Sequence, residues 1–177
     1  VRAMSPRFLE RLHGFGDHPL VGETRGVGLI GAVQMSQDKA AKTYALTVAQ
    51  TIPETPGGTG RAAMHIPLAM GLMDAGGGEL PLVLEGEDPA GAPASRVLDI
   101  TQPSQTFRFV GLEAEPLPSV NRGFSAPVNW DAGYTDADRA LLMANDSDPF
   151  ARWEAGHQYG AKVLAGMIAE IQNDGDP

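Results

Sequence analysis

The sequence predicts a mainly β protein: a β-sandwich of about six to eight short strands, preceded by a short helix and followed by two α-helices. Three observations carry this. Glycine (22) and proline (14) suit short strands joined by turns and are too frequent for a helical bundle. Between residues 27 and 128 apolar residues recur mainly with the period of two that marks a half-buried strand. Beyond Thr135 the period changes to that of a helix.

Ser5-Pro6 opens the first helix, Ser as cap and Pro at the first helical position. Phe8, Leu9 and Leu12 share one face, and Gly14 and Gly16 end it. Val27, Leu29, Val33 and Met35 then alternate with Gly28, Gln34 and Ser36, a strand with one buried face, loosened by Gly31. The polar run Ser36–Lys42 reads as a turn into a second strand, Thr43–Gln50. Tyr44, Leu46 and Val48 point one way there, and Ala45, Thr47 and Ala49 the other, so the two strands form a hairpin with a longer loop.

Pro53–Gly60 reads as a loop, and Met64–Met73 as a strand in which Pro67 suits an edge or bulge position. Ala75-Gly-Gly-Gly78 is a hairpin turn from which Glu79–Glu85 returns as a strand. After a loop over Glu87–Ser95 come strands at Arg96–Thr101 and Thr106–Leu112, the latter with Phe107 and Phe109 on one face and Arg108 on the other. Pro116-Leu-Pro118 leads into a last strand over Ser119–Val128.

Thr135-Asp-Ala-Asp138 resembles a capping box and starts a helix to about Ala144, and Asn145–Asp148 breaks it. Pro149 starts a second helix to about Gln172. Its Phe150, Trp153, Val163, Leu164, Met167, Ile168 and Ile171 fall mostly on one stripe, which wants a partner in the sandwich or in further helices. Asn173–Pro177 reads as a frayed end. The expected division is residues 1–23 as helix and loop, 24–130 as sandwich and 131–177 as helical segment.

Asp and Glu number 22 against 13 Lys and Arg, a formal charge of -9. Such a surface repels phosphate, which argues against nucleic acid and against anionic membranes as partners. The absence of cysteine excludes disulfides and thiolate chemistry and fits a cytoplasmic compartment. No apolar run approaches the ~20 residues of a membrane-spanning helix. The chain begins at Val1 without an initiator Met, as a fragment or processed chain does.

Several residues invite a chemical reading. Gly26-Val-Gly-Leu-Ile-Gly31 fits a dinucleotide-loop pattern, but a strand rather than the required helix follows it. Pro56-Gly-Gly-Thr-Gly60 lacks the Gly-Lys-Ser/Thr ending of a phosphate loop. The histidines His13, His18, His65 and His157 show no H-E-x-x-H spacing, so no metal ligand is expected. His65 reads as a strand residue satisfied by a neighbour, and His157 as a surface partner of Glu154. Ser125 stands outside any G-x-S-x-G context, and Asn145-Asp-Ser147 reads as a helix break rather than a glycosylation acceptor. Arg122 reads as a structural partner for a carboxylate across the join of sandwich and helices, and Phe150 and Trp153 as core anchors. No catalytic, cofactor-binding or metal-binding residue is expected, and no cofactor.

From about Thr43 to Ile171 the chain resembles the aminopeptidase N (alanyl aminopeptidase) family of bacterial zinc enzymes. The resemblance rests on Tyr44–Gln50, Thr55-Pro56, His65–Leu68, Gly71-Leu72, Leu80–Leu82, Arg122–Val128 and Asp148–Ala155. It implies an immunoglobulin-like β-sandwich followed by the first helices of a C-terminal helical domain. The family's zinc motif, downstream glutamate ligand and G-x-M-E-N loop have no counterpart here. Residues from about Pro6 to Lys42, chiefly His18–Val33, resemble the C-terminal part of a class III (omega) pyridoxal-phosphate aminotransferase. Arg25 matches that family's Arg-Gly pair, and no catalytic residue transfers. The implied splice lies near Ser36–Thr43, with the aminotransferase-like piece supplying a surrogate first strand.

The expected function is therefore a non-catalytic structural domain, a fragment or chimera without activity of its own. The alternative is a binding module that self-associates, as a homo-oligomer, or holds another protein through a sheet edge or the last helix. Residual peptidase or transaminase activity is the third reading, and the missing motifs speak against it.

Overall fold

Alternating side chains along the strands build two antiparallel sheets around one core. The computed structural model describes residues 29–30, 33–38, 41–52 and 62–174. The expected helix after Ser5, the loop at Pro53–Gly60 and the last three residues lie outside these.

Nine strands are found among the described residues: β1 Leu29–Ile30, β2 Val33–Asp38, β3 Thr43–Ala49, β4 Ile66–Met73, β5 Glu79–Leu80, β6 Ser95–Ile100, β7 Ser104–Val110, β8 Leu117–Val120 and β9 Asn129–Trp130. Two helices follow, α1 Asp136–Asn145 and α2 Pro149–Asp174. One sheet runs β2-β3-β7, the other centres on β4, and β1 pairs β9 in parallel as a short third ribbon.

The expected hairpin between the opening strand and Thr43–Gln50 is present, with Val33 opposite Val48 and Asp38 opposite Thr43. Two details differ from the sequence reading. The opening stretch contains two strands with different partners, β1 and β2. Ser36, Gln37 and Asp38, expected in the turn, still pair with Ala45, Tyr44 and Thr43. Polar side chains do not end a strand while its backbone has a partner.

Tyr44, Leu46 and Val48 of β3 are buried, as their alternation predicts. They meet Ile66, Leu68, Met70 and Leu72 of β4, Leu98 and Ile100 of β6, and Phe109 of β7 in one cluster. Both sheets bury their inner faces there, as a sandwich requires.

Pro67 fits its strand for a local reason. Met70 and Gly71 of β4 pair with β6 on one side and β8 on the other, but Ile66–Ala69 have a strand on the β6 side only. The N–H of Ala69 points to the open side and donates to Ser125 Oγ at 2.8 Å. Pro67, two residues earlier, turns its missing donor the same way.

The return strand Glu79–Glu85 is shorter than expected. Only Glu79 and Leu80 pair with β4. The chain then crosses to the other sheet, where Leu84 bridges Phe109 and Val110 N–H donates to Val83 O. The last expected strand is also cut short. β8 ends at Val120; the φ of 58° at Asn121 is left-handed, and a 3-10 turn over Arg122–Phe124 follows. Gly123 inside that turn has a φ of 62°, a value a strand cannot hold.

α1 starts with the predicted capping box: Asp138 N–H donates to Thr135 Oγ1, and Thr135 N–H to Asp138 Oδ2. Asp146 ends α1, and Asp148 Oδ1 accepts from Ala151 N–H at the start of α2.

Candidate functional site

The join between sandwich and helices holds a cluster of buried charged groups. β8 delivers Ser119, the left-handed Asn121 turns the chain, and the 3-10 turn projects Arg122 inward. Arg122 is 5% exposed. Its Nη1 lies 2.9 Å from Glu79 Oε1 and its Nη2 3.0 Å from Asp146 Oδ1. Its Nε donates to Ser119 Oγ at 2.9 Å. The three partners come from β5, the end of α1 and β8, so one guanidinium ties both sheet and helix to the turn.

Gly71 is the floor of this site. A Cβ there would lie 2.2 Å from Arg122 Cζ, so the guanidinium occupies the space that any other residue would fill. Asp146 is buried, and its Oδ1 also accepts from Asp148 N–H at 2.9 Å. Asp148 Oδ1 accepts from Gly123 N–H as well as from Ala151 N–H, linking the turn to α2 a second time. The Glu79 carboxyl is held below its ordinary value first by the Ser147 hydroxyl and then by Arg122. Nearby, Tyr134 donates its hydroxyl to Pro118 O, and burial pushes its ionisation up. The ion pairs and hydrogen bonds of Arg122 run from the turn to β5, β8 and the end of α1, so the arrangement fastens two parts of the fold together.

The pairing of Arg122 with a carboxylate across the join agrees with the sequence reading. Sequence alone does not identify Glu79, Asp146 or Ser119: each is an ordinary polar residue, and only the crossing of β5, β8 and α1 brings them together. Asn145–Asp148 does break the helices, with Asn145 Nδ2 donating to Leu141 O. His65 Nε2 lies 2.7 Å from Asp99 Oδ1, which supplies the expected neighbour. Ser125 Oγ accepts from Ala69 and donates to Asn121 Oδ1, and neither partner is a base that could activate it.

Two expectations are corrected. Trp153 is not a core anchor: it is 58% exposed, and Phe150 is only half-buried. Ala151 and Ala155 are the residues of α2 that enter the interior, because small side chains allow close approach of the helix. His157 does not pair with Glu154; it stacks on Trp153 with centroids 5.2 Å apart, while Glu154 accepts from Gln158. His13, His18 and the loop Pro56–Gly60 lie outside the described residues. Of Gly26–Gly31 only Leu29 and Ile30 are described, and they form β1.

Beside the join lies an open groove of about 400 Å³, lined in part by Phe124, Trp130, Phe150, Trp153, Asn129 and Glu154. Among the described residues no group of three or more His, Asp or Glu side chains converges as a metal site would need. None of the described helices is long and apolar enough to cross a membrane.

Comparison with known proteins points the same way as the geometry. A family described as a domain of unknown function (DUF3458) with an Ig-like fold matches residues 32–133, and its C-terminal companion, described as ARM repeats, matches residues 136–177. Aminopeptidase N of Escherichia coli is 32% identical over 143 residues, which is 81% of this chain and 16% of that protein. Aminopeptidase N of Haemophilus influenzae is 33% identical over 76% of this chain and 15% of its own length. The chain thus spans about a sixth of these curated relatives. A crystal structure of Legionella pneumophila aminopeptidase A in complex with aspartic acid superposes with a TM-score of 0.63 at 27% identity, over 80% of this chain and 14% of that one. A shorter likeness, 41% identity over 44 residues, joins 25% of this chain to gamma aminobutyrate transaminase 1, mitochondrial, of Solanum lycopersicum, of which it covers 8%.

Proposed function

This chain belongs to the DUF3458 family of Ig-like domains, and from that membership we propose that it is a non-catalytic scaffold of aminopeptidase N type whose opening segment is of aminotransferase origin. The observation that carries the scaffold reading is the Arg122 cluster. Its ion pairs and hydrogen bonds join the sandwich to the helices, and none of the candidates among the described residues has the partner that nucleophilic or metal chemistry needs.

The chimeric reading is supported by the transaminase likeness together with the β2–β3 hairpin. The Ig-like family match begins at residue 32, so β2 lies inside it, and the aminotransferase resemblance runs on to Lys42. A strand that alternates in the right phase satisfies both patterns at once, since pairing needs backbone groups and one apolar face. In this reading residues 24–130 act as the sandwich and 131–177 as a helical segment locked to it.

A second reading, association with another chain through the last helix, is favoured by the exposure of its apolar stripe. The scaffold reading is tested on the purified chain. Zinc content and turnover of an alanyl anilide are measured, and pyridoxal phosphate is added while aldimine absorbance is followed. We expect no bound zinc, no turnover and no aldimine on an active-site lysine. Turnover above buffer that zinc restores after chelation contradicts the scaffold reading.

A further inference from the structure

Building on the scaffold reading, we infer that the Arg122 cluster is an orientation lock: it sets the angle at which the helical segment leaves the sandwich and adds little net stability. Failure of the scaffold reading shows as turnover or bound zinc, failure of the lock as unchanged geometry or a purely energetic role, so either can fail alone.

The charge balance argues against a stabilising role. One guanidinium faces two carboxylates, Glu79 and Asp146. Asp146 is 1% exposed, and its Oδ2 accepts no hydrogen bond. Arg122 Nη2 lies 3.0 Å from Asp146 Oδ1 without the alignment of a hydrogen bond. Taking such charges out of water is costly, and a network left partly satisfied does not recover the cost. Breaking the network by removing one partner is costly too, because it strands the others. The two facts together mean that the cluster as a whole stabilises far less than the loss of Arg122 alone suggests.

Apolar contact holds the same surfaces together but fixes no angle, since burial of apolar area has no direction. The buried apolar residues of the two helices are Leu142, Ala151 and Ala155. Two of these three end in a single methyl group and offer little to interlock with the sandwich.

The guanidinium supplies the direction. From one rigid plane its Nη1, Nη2 and Nε reach Glu79 of β5, Asp146 at the end of α1 and Ser119 of β8, all at 2.9 to 3.0 Å. The plane is itself held against β4, where a Cβ on Gly71 would lie 2.2 Å from Arg122 Cζ. Asp148 adds a second directional tie, accepting from Gly123 N–H in the turn and from Ala151 N–H in α2. A tilt of the helices stretches these contacts at once, whereas it costs the alanine contacts little.

Thermal unfolding and spin-label distances test the lock. Labels are placed on Val97→Cys in β6 and Ala161→Cys in α2, both exposed positions in a chain without cysteine of its own. Arg122→Met alone strands two carboxylates and is expected to lower the melting temperature by roughly 10 °C or more. Adding Glu79→Gln and Asp146→Asn removes those charges, while the amide oxygens still accept from Ser147 and from Asp148 N–H. This triple variant is expected to recover more than half of the loss and to show a label distance distribution that is broader than, or displaced from, that of the parent chain. Arg122→Lys keeps the cation without the fork, so it is expected to change the distribution at a smaller loss of melting temperature than Arg122→Met. A triple variant that recovers less than half of the loss, or fails to fold, makes the cluster a source of stability and overturns the lock. A distribution unchanged in both the triple variant and Arg122→Lys overturns it as well.

Discussion

Arg122 shows how one side chain can hold two parts of a fold. It is buried between Glu79 and Asp146, and Asp146 Oδ2 has no hydrogen-bond partner of its own. Removing the cation leaves a buried carboxylate uncompensated, so Arg122→Ala is expected to cost about 3–5 kcal/mol in urea unfolding. Gly71→Ala also destabilises, because its Cβ enters the guanidinium's space. The two changes are expected to be non-additive: Gly71→Ala costs less once Arg122 is gone, and a double-mutant cycle reads the coupling.

Tyr44 offers the opposite case. Its hydroxyl is buried without a partner, so Tyr44→Phe removes an unsatisfied group and is expected to be neutral or to stabilise by about 1 kcal/mol. Burial also raises the ionisation of Tyr44 and Tyr134 above their ordinary 10.0. The unfolded chain then loses these protons first, so stability is full below that pH and falls as pH rises past it. Glu79 acts at the other end. Its folded value lies below the ordinary 4.5, so its contribution is present above that pH and is lost as pH falls through the folded value. Unfolding curves followed against pH are expected to show both losses, with the acid loss shallower in Glu79→Gln.

At the scale of elements, what can be read from sequence depends on whether a residue's partner is local. The alternation of Tyr44, Leu46 and Val48 marks their burial because a strand's two faces are set by its own residues. The capping box at Thr135 and Asp138 is legible for the same reason, and Thr135→Ala is expected to lower stability by about 1 kcal/mol, read by thermal melting. Glu79–Glu85 misleads because it alternates well enough for one strand while its backbone leaves β4 for the other sheet. Ser119–Val128 misleads because the left-handed turn at Asn121 serves the Arg122 contact, which no local pattern announces. Trp153 misleads because size suggests burial, whereas the close approach of α2 is made by Ala151 and Ala155. The Arg122 site is thus half legible: the cation stands out, but its carboxylates come from elements whose meeting only the fold decides.

In the whole molecule, the sheet β2-β3-β7 is closed on one edge by a strand from the opening segment. β2 contributes six paired positions against β3, and without it β3 becomes an exposed edge with Tyr44, Leu46 and Val48 behind it. The helical segment depends on the sandwich in turn, through Arg122 and Asp148. One cooperative transition is therefore expected for both regions, and circular dichroism of helix and near-ultraviolet signal from the aromatic residues should lose intensity together.

The most direct measurement compares thermal unfolding of the full chain with that of a chain lacking residues 1–42. The shortened chain is expected to melt roughly 5–15 °C lower, corresponding to a loss of a few kcal/mol for a molecule of this size. An unchanged melting temperature contradicts it, because a strand that completes the sheet cannot be removed without cost.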